Sequence, residues 1–120
     1  MIFTTLRLYC SNESQMEYCL NNLSSGKKIT TSLFNDNFFV NVRFSHADRA
    51  AYYKDVEAEM LDYINENKDV LSFVKENGRG LLLFTDVFHY NEPQSGILLS
   101  SEFISAMAEY RISLAVDTYR

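Results

Sequence analysis

The sequence predicts a single α+β domain over residues 1–120, with a largely antiparallel sheet and helices packed on one of its faces. A chain of 120 residues has the length of one domain. Its 47% hydrophobic content, which includes eight Tyr and nine Phe, is enough to build a core. Segments of two-residue alternation are interspersed with segments of helical periodicity, in the order β-α-β-β-α-β-β-α-β.

The first strand and the first helix follow from a change of periodicity. Residues 2–9 alternate loosely between two faces, as expected of a strand. Ser11 or Asn12 then suits the N-cap of a helix, because its side-chain oxygen can accept a free N–H of the first turn. Gly26 ends the connection to the next strand.

A β-hairpin is predicted next. Lys28–Phe34 forms a short strand, and Phe38–Phe44 alternates clearly between apolar and polar residues. The sequence between them, Asn35–Asn37, favours a tight turn. We therefore expect a hairpin with one buried face.

A single long helix is predicted from about Ser45–Asp48 to Gly78, a residue that tolerates the left-handed conformation found after many helices. Apolar residues recur on one side of this segment at helical spacing, whereas Phe73 projects near the opposite side. Either the helix breaks around residues 67–69, or an aromatic ring lies among charged side chains there.

The C-terminal part is predicted to add strands and a helix. Residues 81–90 are rich in strand formers with little alternation, as in an inner strand covered on both faces. A short strand at Ile97–Leu99, a helix capped by Ser100 or Ser101, and an alternating strand at Ile112–Thr118 complete the fold.

The most distinctive pattern is an acidic stripe in the predicted long helix. Its six carboxylates recur at intervals of three, four or seven residues, which places them on one helix face. Almost no Lys or Arg interrupts the stripe, so we expect it to attract a cationic partner. The alternative, a merely solvated helix face, stays open. The stripe consists of Asp48, Asp55, Glu59, Asp62, Glu66 and Asp69.

Phe39 and Tyr90 are predicted to support binding with aromatic contacts. Both belong to a group of rings on the second face of their strands or at strand ends. If helices leave that face uncovered, the rings form an exposed patch of the kind found at protein interfaces; if helices cover it, the rings are core.

The charge and the hydrophobic segments of the chain limit the kinds of molecule that we expect it to bind. A net charge of −5 and a pI of about 4.9 argue against a nucleic-acid-binding surface. No segment approaches the roughly 20 apolar residues that span a bilayer, and no signal-peptide pattern opens the chain, so we expect a cytoplasmic protein without a membrane partner. Cys10 and Cys19 are expected to be reduced residues of the core.

No catalytic residues, metal site or cofactor are predicted. His46 stands at a helix start, where its neighbours are explained by capping, and His89 ends a strand. His46 and Asp48 could bind a metal together with His89 only if folding brings these two regions together. Asp86 and Asp117 would form an acid–base pair only if their strands were neighbours.

Two stretches, Thr4–Tyr9 and Gly96–Arg120, resemble a bacterial family catalogued as domain of unknown function 4279. The second stretch resembles the family in its apolar strand, its Ser-led helix and its closing Leu-Ala-Val-Asp-Thr-Tyr strand. Together they cover about a quarter of the chain. The chain departs from the family in having Ser24–Gly26 where a Pro-containing turn is usual, and in having no Trp. The resemblance implies a fold topology and no active site.

We expect this protein to be a small acidic binding protein rather than an enzyme. The favoured function is that of a bacterial immunity protein, whose acidic helix neutralises a basic, nuclease-type toxin. The main alternative is a small-ligand-binding or regulatory module with an aromatic-lined pocket. A hydrolase or transferase using the histidines and strand carboxylates, and a self-assembling structural protein, are further alternatives. The oligomeric state is not predicted.

Overall fold

The computed structural model describes residues 2–45, 56–87 and 99–119, which form a mixed α+β fold. Five strands and four helices lie in these ranges. In chain order they are β1 (Ile2–Cys10), α1 (Glu13–Asn22), β2 (Lys28–Phe34), β3 (Asn37–Arg43), α2 (Glu57–Glu66), α3 (Lys68–Asn77), β4 (Arg79–Val87), α4 (Ser101–Glu109) and β5 (Ile112–Tyr119).

The strands form one sheet in the order β2-β3-β1-β4-β5. Every pairing is antiparallel except that of β4 with β5, which are joined through α4. The prediction of a largely antiparallel α+β fold is therefore confirmed. The strand predicted at Ile97–Leu99 falls mostly outside the described residues, and Leu99 itself lies in irregular backbone before α4.

One face of the sheet carries the core. Alternate residues of β1 and β4, such as Leu8 and Phe84, are completely buried beneath the helices. Phe103 of α4 and Leu71 of α3 fill the same core from the helix side. The other face is covered by none of the described helices, and we call it the open face. The prediction that β4 would be covered on both faces is wrong, because its open-face residues are only half-buried.

The local signals in the sequence behave as predicted at three places. Asn35 and Asp36 both adopt positive φ, at 50° and 63°, as the two-residue turn of a β2–β3 hairpin requires. The Asn12 side chain accepts the Gln15 N–H at 2.9 Å and caps α1. Ser100 accepts the Phe103 N–H at 3.1 Å and caps α4.

The predicted long helix is broken at Asn67, which separates α2 from α3. Its backbone, at φ −118° and ψ 31°, is not helical. Its buried side chain donates to the Tyr63 carbonyl at 2.8 Å and accepts the Ser24 N–H at 2.8 Å. Of the two predicted alternatives the break is therefore correct. Phe73 then packs on Tyr18 of α1, with ring centroids 4.1 Å apart.

Gly78 ends α3 as predicted, but for a different reason. Its φ of −155° is extended rather than left-handed, so the predicted cap conformation is wrong. A Cβ at this position would lie well inside van der Waals contact with the Tyr9 carbonyl oxygen. Glycine is thus required where the chain leaves α3 and passes close to β1.

Cys10 and Cys19 are buried and free, as predicted, with their sulfurs 3.9 Å apart. One thiol lies at the end of β1 and the other in α1, so both fill the core between strand and helix. Hydrogen bonding to Cys10 and burial raise the pKa of the Cys19 thiol.

Candidate functional site

The structure distributes the predicted acidic stripe over two helices. Glu59, Asp62 and Glu66 lie on α2, whereas Asp69 lies on α3, beyond the break at Asn67. The stripe is therefore not one continuous helix face, because the helix is interrupted at Asn67. Asp48 and Asp55 lie outside the described residues.

Glu59 is engaged in an ion pair that the sequence did not reveal. Lys27, which precedes β2, places its Nζ 2.6 Å from a Glu59 carboxylate oxygen. The Ser45 N–H donates to the same oxygen at 3.1 Å. Burial opposes ionisation, but these two donors hold the pKa of Glu59 below its ordinary value. A cation from a distant segment thus neutralises one member of the stripe.

Asp62, Glu66 and Asp69 remain exposed carboxylates. Within the described ranges none of the three lies within ion-pair distance of a Lys or Arg. Glu66 accepts a long hydrogen bond, 3.4 Å, from the Ser24 hydroxyl. A shallow depression of about 190 Å³ beside them is lined by Lys27, Tyr63 and carboxylates of α2.

Charge differs sharply between the two layers of the fold. The four described helices contain ten acidic and two basic residues. The five described strands contain four basic and two acidic residues. The sequence gives the net charge, but only the topology separates it into an acidic helix layer and a basic sheet.

Phe39 lies on the open face of the sheet, away from the acidic helix layer. It is only 7% exposed, packed edge-on against Tyr9 with ring centroids 4.5 Å apart. The Arg7 guanidinium lies 5.6 Å from the Phe39 ring centroid. Phe39 and the helix carboxylates therefore do not form one surface. Tyr90, the other predicted aromatic, lies outside the described residues.

A groove with a volume of about 360 Å³ lies on the open face. No motif in the sequence marks this groove, although the alternation of each strand already put these residues opposite the core. Three basic and three hydroxyl side chains contribute to its lining: Arg7, Lys28, Arg43, Thr5, Thr30 and Thr85.

The interior beneath the sheet is filled. Between Leu6, Phe44, Met60 and their neighbours the remaining space is about 10 Å³. Such a volume is at the lower limit for one water molecule. At this place the core has no room for an enclosed small ligand.

The sequence offered an acid–base pair and a metal site as possible sites of chemistry. β4 and β5 are neighbours, but Asp117 pairs in register with Thr85, so Asp86 and Asp117 point to opposite faces of the sheet. They cannot act on one reacting group. His46 and His89 lie outside the described residues. No group of three or more potential metal ligands occurs in the part of the chain that the structure describes.

One buried carboxylate was not anticipated. Glu57, at the start of α2, is 7% exposed and accepts a hydrogen bond from the Ser100 hydroxyl, which also caps α4. This contact fixes the start of one helix against the start of another. Glu57 and Ser100 are 43 residues apart in the chain, so no local sequence pattern predicts this contact.

The chain matches no protein-family model, no curated protein and no solved structure. The resemblance to domain of unknown function 4279 therefore stays a prediction. Among the described helices, none is both long and apolar enough to cross a membrane.

Proposed function

We propose that this protein is a small acidic binding protein that docks onto a basic protein through its helix layer. The observation that carries this proposal is the exposed group Asp62, Glu66 and Asp69, which has no ion-pair partner among the described residues. Carboxylates left unpaired on one layer create a negative potential, which attracts a basic surface.

Within this proposal the partner is a nuclease-type toxin and the protein its immunity protein. Nucleic-acid-binding clefts present clustered Lys and Arg, whose natural ligand is a row of phosphates. The helix layer, with ten acidic and two basic residues in the described helices, offers the matching charge. Bound in the cleft, the carboxylates would compete with the substrate phosphates.

The helix layer also offers contact area beside the carboxylates. Phe73 follows Asp69 by one helical turn, so the two share a face of α3, and Phe73 packs on Tyr18. Exposed charges steer association, whereas rings at the interface supply most of the affinity. Phe39 has no part in this interface because it lies on the other face of the sheet.

The experiment begins with a pull-down from the source cells at low and high salt, with bound proteins identified by mass spectrometry. We expect a basic nuclease that is released at high salt and whose activity the purified protein inhibits. The triple variant D62K/E66K/D69K should lower its association rate at least tenfold, since steering contributes factors of about 10 to 1,000.

A second triple variant, E13K/E102K/E109K, changes the net charge equally but on α1 and α4. We call the surface formed by Asp62 and Glu66 on α2 and Asp69 on α3 the α2–α3 surface. If docking uses this surface, the second variant should slow association much less than the first. An equal effect of both variants would show that only net charge matters. Capture of no nuclease, or association unchanged in D62K/E66K/D69K, would overturn the proposal.

A further inference from the structure

The groove on the open face brings three cations together without a carboxylate. Arg7 comes from β1, Lys28 from β2 and Arg43 from β3, three strands that are neighbours in the sheet. No Asp or Glu of the described residues lines the groove. The nearest acidic position in the register is Asp117 on β5, next to Thr85, at the opposite side of the groove from Lys28.

Two of these cations are placed at a cost to stability. Lys28 and Arg43 are direct partners in the β2–β3 register. Like charges directly opposite each other destabilise a sheet. No ion pair involving either side chain occurs among the described residues. An anion bound between them would relieve this repulsion.

Arg7 is held in position for binding. Its Nε donates to the Asn41 side-chain oxygen at 2.8 Å, and its guanidinium lies against the Phe39 ring. The bond uses one of the five N–H donors of the guanidinium. The remaining fork matches the geometry of a phosphate group, and a guanidinium that is already oriented loses less entropy on binding.

The other end of the groove is less polar. Phe3, on β1, is 40% exposed there and lies beside Thr85 of β4, while Leu83 lies beside Thr5 in the lining. Phe3 is two residues from Thr5, the register partner of Arg43, which corresponds to about 7 Å along the strand. A ligand with an anionic end and a flat apolar body can therefore contact both regions.

The size of the groove and the packing of the remaining rings favour a small ligand. Its 360 Å³ falls within the roughly 300–1,000 Å³ range of small-molecule sites. Single-stranded nucleic acid, by contrast, needs successive exposed rings for stacking. Phe39 is buried, and the Arg79 guanidinium lies over the Tyr9 ring, 4.6 Å from its centroid.

We propose that the open-face groove binds a phosphate monoester with a flat body, of the class of a nucleoside monophosphate. Arg7, Lys28 and Arg43 hold the phosphate, and Phe3 contacts the base. This site lies on the opposite layer from the α2–α3 surface, so it is independent of the proposed docking of a basic protein.

The test is titration of the ¹⁵N-labelled protein with adenosine, guanosine, cytidine and uridine 5′-monophosphates, followed by amide chemical shifts. At least one nucleotide should shift amides of β1, β2 and β3. R43Q should weaken its binding at least tenfold, and K28Q, at an exposed edge strand, provides a second variant if R43Q does not fold. K68Q, on α3, is the matched control and should bind as the wild type does.

Inorganic phosphate and adenosine are titrated in parallel to separate the two parts of the ligand. We expect both to bind more weakly than the nucleotide, because each contacts only one end of the groove. Equal affinity for inorganic phosphate would overturn the assignment of a flat body. No shift with any of the four nucleotides at millimolar concentration, or shifts confined to the helix layer, would overturn the site.

Discussion

Lys28 and Arg43 face each other directly across the β2–β3 pairing, on the open face of the sheet. Like charges directly opposite each other in an antiparallel pair reduce the stability of the sheet. Both side chains are exposed, so water and salt reduce the repulsion without removing it. The pair is therefore expected to lower the stability of the β2–β3 hairpin.

Reversing one charge of this pair should make the protein more stable. In K28E the introduced carboxylate faces Arg43, and such an opposite-charge pair contributes roughly 0.2–1 kcal/mol. Urea denaturation at low salt should show this increase in the free energy of unfolding, and added salt should diminish it. K28Q, which only removes the repulsion, should raise the free energy of unfolding by a smaller amount. A K28E protein less stable than the wild type contradicts the prediction.

The ion pair of Glu59 with Lys27 should make stability depend on acidic pH. The folded-state pKa of Glu59 is lowered from its ordinary 4.5, so its contribution is present above pH 4.5 and is lost as the pH falls through the lower folded value. E59Q should therefore lose stability relative to the wild type at pH 7, with a smaller difference at pH 3. Urea denaturation at the two pH values measures this.

A control for the charge itself is D62N on the same helix. Asp62 has no ion pair among the described residues, so its replacement should alter stability less at pH 7. If E59Q and D62N behave alike at both pH values, the Lys27 contact contributes nothing measurable.

Replacing Tyr63 by Phe should stabilise the fold and change its behaviour at alkaline pH. The Tyr63 side chain is 2% exposed, and its hydroxyl has no hydrogen-bond partner among the described residues. Removal of an unpartnered buried hydroxyl should raise the free energy of unfolding by about 1 kcal/mol. The ring contact with Phe44, at 5.4 Å between centroids, is retained.

The alkaline effect of Tyr63 follows from the same burial. Burial raises its pKa from 10.0 to about 12, so its contribution is intact below pH 10 and is lost as the pH rises towards 12. Y63F should lose less stability than the wild type between these pH values, as followed by circular dichroism in urea. Y18F, which keeps Tyr63, should lose as much stability over this pH range as the wild type does.

An alanine at Gly78 should destabilise the protein strongly. The new Cβ would overlap the Tyr9 carbonyl oxygen, which belongs to the backbone of β1 and cannot rotate away. Forced overpacking of this kind costs about 1–3 kcal/mol, and a backbone neighbour puts G78A at the upper end. G80A is the matched control, because its Cβ meets only the Ile112 side chain, at 3.1 Å. Thermal denaturation showing G80A as the more damaging change would contradict this account.

Local sequence patterns determined most of the secondary structure. Alternation predicted β1 and the β2–β3 hairpin, and the Asn-Asp turn residues and the caps Asn12 and Ser100 act within a few residues of their own position. The break at Asn67 was predicted only as one of two alternatives. At the break, the Asn67 side chain accepts a hydrogen bond from the Ser24 N–H, 43 residues away, a contact that no local pattern contains.

The candidate site was predicted less completely for the same reason. The sequence by itself determined the number of charges, the helical spacing of Glu59, Asp62 and Glu66, and the excess of acid over base. Only the tertiary structure decided which charges meet. It paired Glu59 with Lys27 and placed Lys28 opposite Arg43, because strand order and register bring together residues that are far apart in the chain. Periodicity fixes the face on which a side chain lies, whereas the fold fixes what that face contacts.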